Sequence, residues 1–233
     1  MNLIAILIAI TQTLSAVIFF ASAYLLRRAQ GQKNLPAFFN YWSGALFLLG
    51  LSAYLEAIAF FTPPQTMQIA GTVFLLPRFF YLLSLVTLFG ALNLFISFHL
   101  QQGTSDFLAL LHGLNWVWGL VILIFILTQL PQFPSTTQVL LLPRGGALLL
   151  AVYVFLFSLF NSGAFFAAAY DHPAVRVALR GFLLGTGPSL YIIAQVGAAI
   201  FPNFFYLWIS EIMALSGSLL LLSGLLLHVD FEQ

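Results

Sequence analysis

Charge is what this sequence has least of. Seven Lys or Arg and six Asp or Glu amount to 6% of its 233 residues, against about 25% in an ordinary soluble domain. Only one lysine occurs, Lys33, and there is no cysteine. Each shortage excludes a class of protein. Without cysteine there is no disulfide framework, no thiolate nucleophile and no Cys-ligated zinc or iron–sulfur cluster. A net charge of +1 with no basic cluster excludes a nucleic-acid partner, because phosphate neutralisation needs grouped Lys and Arg on an accessible face. Water is excluded as the main solvent. With 62% hydrophobic residues and a mean hydropathy of +1.06, a soluble fold would expose apolar patches far larger than the roughly 300–600 Å² that monomers tolerate.

Long apolar runs are what the sequence does have. Crossing the hydrocarbon core takes about 20 consecutive apolar residues. Seven stretches qualify, at residues 3–26, 37–61, 73–98, 107–130, 139–170, 177–200 and 204–227. The expected fold class is therefore all-α: a polytopic membrane protein, a seven-transmembrane-helix bundle forming one domain over residues 1–233. The polar or Pro-rich connectors are Arg27–Pro36, Thr62–Gly71, His99–Asp106, Pro131–Thr137, Asp171–Arg176 and Pro202–Asn203, each too short to fold alone.

Orientation is read from Lys and Arg in the short loops. Arg27, Arg28 and Lys33 follow the first helix, and Arg176 and Arg180 lie in or near the fifth connector. Both loops are expected on the cytoplasmic side of a plasma or inner membrane, with the N-terminus outside and the tail from Val229 to Gln233 inside. Ala21-Ser22-Ala23 imitates a signal-peptidase site, but the segment lacks a basic n-region and Arg27-Arg28 follows at once, so retention is expected. One internal echo stands out: Val73-Phe74-Leu75-Leu76-Pro77-Arg78 against Val139-Leu140-Leu141-Leu142-Pro143-Arg144. Two readings remain open, a repeat relating helices three and five or chance similarity of Leu-rich segments with Pro in a first helical turn.

Four ionisable residues fall inside the apolar stretches: Glu56, Arg78, Arg144 and Glu211. A charge at the bilayer centre costs at least about 2.5–3.5 kcal/mol and normally faces the bundle interior. With about 1.5 Å of rise per residue, all four map to one layer in the outer half. In one reading they form buried ion pairs that lock the bundle, with Glu56 and Arg78 on consecutive helices as the natural couple, or the arginines snorkel to the interface. In the other, the guanidinium groups hold a small anionic ligand, or the carboxylates carry protons or cations. Tyr54 lies two residues from Glu56, and Trp208 lies three before Glu211 on the same helical face. Both are candidates either for the wall of such a pocket or for the interfacial aromatic belt. Glu211, Ala214 and Ser218 describe a small polar stripe expected to face the bundle. Gly181 and Gly185, followed by Gly187-Pro188, point to close helix contact and a kink in helix six.

The histidines, His99, His112, His172 and His228, all map to the cytoplasmic side. No two stand at the i, i+4 spacing of a helical ligand pair, so interfacial histidines are expected rather than a metal or haem site. No acidic pair at metal-binding spacing, phosphate-cradling loop or nucleophile elbow occurs, and no enzymatic activity is indicated.

Seven helices with the N-terminus outside, Tyr54 in helix two, Arg78 in helix three and Glu211 in helix seven resemble the layout of microbial rhodopsins. That family implies retinal on a helix-seven lysine. Leu215 stands where the lysine is expected and Lys33 is the only lysine, so no retinal Schiff base and no other cofactor is expected. Gly50-Leu51-Ser52-Ala53-Tyr54-Leu55-Glu56 together with Arg78 is similar to the seven-helix N-terminal sensor region of membrane histidine kinases, which carries a glutamate late in helix two and a basic residue early in helix three. This resemblance implies a membrane sensor or receptor-like module that signals through an output partner, here expected to be a separate protein. The alternatives are a small transporter or ion-conducting protein, with Glu56 and Glu211 carrying the charge, and an accessory subunit of a larger membrane complex.

Overall fold

The computed structural model describes residues 3–33, 36–37, 39–63, 65–69, 72–101, 105–128, 144–170, 174–200 and 204–227. These form seven α-helices: α1 Leu3–Lys33, α2 Phe39–Phe61, α3 Leu76–Leu100, α4 Asp106–Thr128, α5 Arg144–Tyr170, α6 Val175–Ile200 and α7 Phe204–Leu226. Five of them contain spans long and apolar enough to cross a membrane: Ile6–Gly31, Phe39–Phe61, Leu76–Leu100, Val175–Gly197 and Ile209–Leu226. In α4 and α5 the described apolar stretches are shorter, Asp106–Val121 and Ala151–Ala167.

Local chemistry accounts for several of the ends. At the start of α4 the Ser105 hydroxyl accepts a bond from the Leu108 amide at 3.3 Å, with Asp106 beside it in the first turn, which suits the positive end of the helix dipole. Pro77 sits in the first turn of α3, where its missing N–H removes no intrahelical bond. Gln101 closes the same helix with its amide on the Ser97 carbonyl at 3.0 Å.

Two features depart from the sequence reading. Residues 73–75 are not helical. They belong to β2 (Thr72–Leu75), which pairs antiparallel with β1 (Thr66–Ile69), Met67 opposite Phe74. The β-branched and aromatic residues Thr72, Val73 and Phe74 suit a strand, so the connector between α2 and α3 is a hairpin and α3 starts only at Leu76. The first member of the sequence echo therefore straddles a strand and a helix; residues 139–143 of the second lie outside the described residues, and Arg144 opens α5. In addition, α1 runs on to Lys33, so Arg27 and Arg28 ride on its last turns rather than in a loop, as Arg176 and Arg180 ride on α6.

Polar side chains share the bundle interior with an apolar core, while large apolar side chains cover its exterior. Gln12, Ser15, Ser22, Ser97, Asn161 and Ser218 have no exposed surface, whereas Phe107, Phe155 and Val17 are 60% exposed or more. In water this arrangement would be costly. In a bilayer, helix association gains nothing from burying Leu against Leu, and small or hydrogen-bonding residues gather at helix interfaces instead.

Helices α1, α2, α3, α5, α6 and α7 close a ring, each touching the next and α7 returning to α1, while α4 leans on α3 and α5. Glycines set the tightest approaches. A Cβ on Gly181 would lie 3.0 Å from the Ala169 Cβ, and one on Gly185 3.0 Å from the Phe165 Cβ, so this pair seats α6 against α5. Gly187 and Gly217 bring α6 and α7 into backbone contact: a Cβ on Gly217 would stand 2.6 Å from the Gly187 carbonyl oxygen. Pro188 lies inside α6 at this crossing. Beside it, the Gly185 carbonyl accepts hydroxyl bonds from Ser189 (2.9 Å) and Ser162 (3.2 Å) and an amide bond from Asn161 (3.2 Å). Side chains from two helices thus gather on a backbone carbonyl one residue beyond Leu184, whose own carbonyl would ordinarily receive the N–H that Pro188 lacks.

Candidate functional site

Glu56 and Glu211 are 5% and 6% exposed, and Glu211 lies within Coulombic reach of Glu56. Residues 155 positions apart in the chain come within electrostatic range because the ring closes between α7 and α1, which also touches α2. The acids come from late in α2 and early in α7, so both occupy the same half of the bundle.

Helix α1 supplies the polar partners. Thr11 Oγ1 is 2.5 Å from Glu211 Oε2, and the Gln12 amide nitrogen donates to both carboxylate oxygens at 3.0 Å. Tyr191 of α6 donates to Gln12 Oε1 at 3.3 Å, and both Tyr191 and Tyr81 of α3 lie within Coulombic reach of both acids. Five helices of the ring therefore meet around two carboxyl groups. Further along the α1–α7 seam, Ser218 Oγ meets Ser15 Oγ at 3.5 Å, and Ala214 is buried on the same face of α7 as Glu211 and Ser218.

Proton bookkeeping makes Thr11 informative. Its hydroxyl also lies 2.9 Å from the Ile8 carbonyl oxygen, yet it has one proton to donate. Donating to Glu211 suits an ionised carboxylate. Donating to Ile8 leaves the contact with Glu211 to be made by a proton on the carboxyl. The same atoms serve both states with a rotation of one hydroxyl.

The other sequence candidates are placed differently. Tyr54 is 48% exposed on the outer surface of α2, away from the acids. Arg78 is half-buried in the first turn of α3. Arg144 is the first residue of α5, and Trp208 lies in the second turn of α7; their side chains are outside the described residues. Thr11, Gln12, Tyr81 and Tyr191 were not among the sequence candidates, although Thr11-Gln12-Thr13 is a visible polar interruption of the first apolar run.

A second polar cluster ties α3, α4 and α5. Asn93 and Asn115 exchange bonds, each side-chain amide donating to the other's backbone carbonyl at 2.9 and 3.1 Å. Tyr153 donates to Asn115 Oδ1 at 2.8 Å. His99 Nε2 meets Asn161 Oδ1 at 3.2 Å, and His112 Nε2 accepts from Trp116 at 3.1 Å. Each of these two histidines is thus engaged by a helix neighbour; His172 and His228 lie outside the described residues. No group of three or more His, Asp or Glu side chains poised for a metal occurs among the described residues.

The fold and this interior define the chain as a helical integral membrane protein. Comparison with protein-family models, with characterised proteins and with solved structures yields no match.

Proposed function

We propose that this membrane protein takes up a proton or small cation at the Glu56–Glu211 pair and couples that event to transport across the bilayer. The observation that carries the reading is the presence of two buried carboxyl groups within electrostatic range of each other in one half of the bundle, one of them held by Thr11 and Gln12. Intramembrane acids are expensive, and their usual role is in proton relays and ion pathways. Like charges in a medium of low dielectric repel strongly, so a positive species between the two acids lowers the cost of keeping both. An anionic ligand would meet two carboxylates here, which argues against the pair as an anion site. Gln12 donates to Glu211, and Tyr191 steadies Gln12 from behind through its carbonyl oxygen.

Reconstitution into proteoliposomes tests this. With an imposed proton or sodium gradient and an entrapped pH-sensitive or sodium-sensitive dye, the wild-type chain is expected to give flux above empty vesicles. Glu211→Gln and Glu56→Gln are each expected to abolish it while leaving the bundle folded. Flux unaltered in both variants would defeat the reading.

A second reading is a sensor that uses the same pair as its input and passes the change to a separate protein partner. What favours it is the combination of a buried glutamate late in α2 with Arg78 in the first turn of α3, the pattern shared with the sensor regions of membrane histidine kinases. Absence of flux together with a partner protein that co-purifies with wild type and is lost with Glu211→Gln would favour it over transport.

A further inference from the structure

We infer that the outer groove between α1 and α2 is a binding site for an anionic phospholipid. The groove has a volume of about 780 Å³ and is lined by Tyr24 and Arg27 of α1, Asn40 of α2, and Phe20 and Phe47 deeper along the same two helices. Ala23 of α1 forms part of its floor, where the small side chain leaves room between the helices.

The site is graded from end to end. Phe20 precedes Arg27 by seven residues and Phe47 follows Asn40 by seven, so on each helix the aromatic ring lies two turns, about 10 Å, from the polar group. The two rings approach to 5.4 Å between centroids and close the apolar end. At the other end, at the edge of the bundle, stand the exposed guanidinium of Arg27 and the Asn40 side chain. A small polar solute would leave the aromatic end unfilled, and a hydrocarbon would leave Arg27 unanswered. A molecule with an anionic head and an acyl chain satisfies both. Any exposed apolar surface meets acyl chains in a membrane, so selectivity must come from the head. A guanidinium fork matches two phosphate oxygens and makes charge-assisted hydrogen bonds to them, and the leaflet that faces the α1–α2 connector would supply the lipid from the side.

The site is separate from the glutamate pair, which lies in the opposite half of the bundle, so its test is independent of the proposed transport. Purified full-length protein, stripped of native lipid in detergent, is offered phosphatidylglycerol or phosphatidylcholine with identical chains, and bound lipid is counted by native mass spectrometry. Phosphatidylglycerol is expected to bind about tenfold more tightly than phosphatidylcholine, the scale of one charge-assisted contact. Arg27→Glu should reduce phosphatidylglycerol to the phosphatidylcholine level. Arg28→Glu makes the same change of charge one residue away, outside the groove lining, and should retain the preference. Arg27→Gln removes the charge without reversing it and should reproduce the loss, which guards against a folding defect in the Glu variant. Equal binding of the two lipids by the wild type, or equal loss in the Arg27 and Arg28 variants, would overturn the assignment in favour of a general effect of interfacial charge.

Discussion

Gln12 places its side-chain amide nitrogen 3.0 Å from both carboxylate oxygens of Glu211, reaching from α1 to α7 across the closure of the ring. This contact joins the two ends of the chain and sets the environment of one acid in the buried pair. Gln12→Leu keeps similar volume but removes the donor. It is expected to cost about 1.5–3 kcal/mol, the range for a hydrogen bond to a charged group. Adding Glu211→Leu should restore part of that loss, because the carboxylate left without its donor is removed, while Tyr191 still lacks its acceptor on Gln12. Unfolding in mixed detergent micelles measures the cycle, and strictly additive single-mutant costs would contradict the coupling.

The crossing of α6 and α7 should be intolerant of any side chain. A Cβ on Gly187 would lie 2.7 Å from the Leu221 amide nitrogen, and one on Gly217 2.6 Å from the Gly187 carbonyl oxygen. Both obstacles are backbone, so the helices themselves must separate. Gly187→Ala and Gly217→Ala are each expected to destabilise by about 1–3 kcal/mol, as overpacked interiors do. Gly113→Ala on α4, where an added Cβ meets nothing within 4 Å, serves as control and should be neutral or stabilising by up to about 1 kcal/mol through helix propensity. Melting temperatures in detergent distinguish the two sites.

Helix α4 hangs on a polar clasp. Asn93 and Asn115 exchange amide bonds between α3 and α4, and Tyr153 joins from α5. Tyr153→Phe removes two hydrogen bonds, the one donated to Asn115 Oδ1 and the one accepted from the Asn93 side-chain amide, and should cost about 1.2 kcal/mol at the average of about 0.6 for such bonds between membrane helices. Asn115→Leu removes the donor to the Asn93 carbonyl and to Ser97 Oγ and the acceptor of the Tyr153 hydroxyl, while the Asn93 amide keeps the backbone carbonyl at position 115, so its cost should reach about 1–3 kcal/mol. Faster proteolysis near α4 in the Asn115 variant than in the Tyr153 variant is the expected pattern, and identical digestion would speak against the clasp.

Orientation is testable because the sequence contains no cysteine. The bias of Lys and Arg toward the end of α1 and the start of α6 predicts those ends on the cytoplasmic side. In intact cells Gly31→Cys should resist a membrane-impermeant maleimide, whereas Thr62→Cys, just past the opposite end of α2, should react. The reverse labelling pattern would invert the topology.

The acidic layer was legible because it depends on one helix at a time: rise per residue alone puts Glu56 and Glu211 at similar depth in the same half. The outward position of Tyr54 follows from the geometry of a single helix. Two residues along an α-helix turn through about 200°, so when Glu56 points inward Tyr54 points out, and it is 48% exposed. Thr11 and Gln12 were visible as polar residues in an apolar run, yet without a facing partner they looked like isolated interruptions. The hairpin was hidden because Thr62–Gly71 carries turn-forming and polar residues, and the strand residues Val73 to Leu75 merge into the apolar run that follows.

By itself the sequence determined that this chain lives in a bilayer as an apolar helical bundle, because solvent preference is a sum over residues and needs no knowledge of contacts. It also put Glu56 and Glu211 in the same half of the bundle, since position along a helix follows from its rise. Only the tertiary structure decided that Glu56 has Glu211 as its charged neighbour, that α1 rather than a sequence neighbour of α7 holds that second acid, and that α4 stands outside the ring. Those outcomes depend on how the helices close around one another. In a membrane that closure is governed by small residues such as Gly187 and Gly217 and by polar side chains such as Gln12, whose partners are remote in the chain and unmarked by its periodicity.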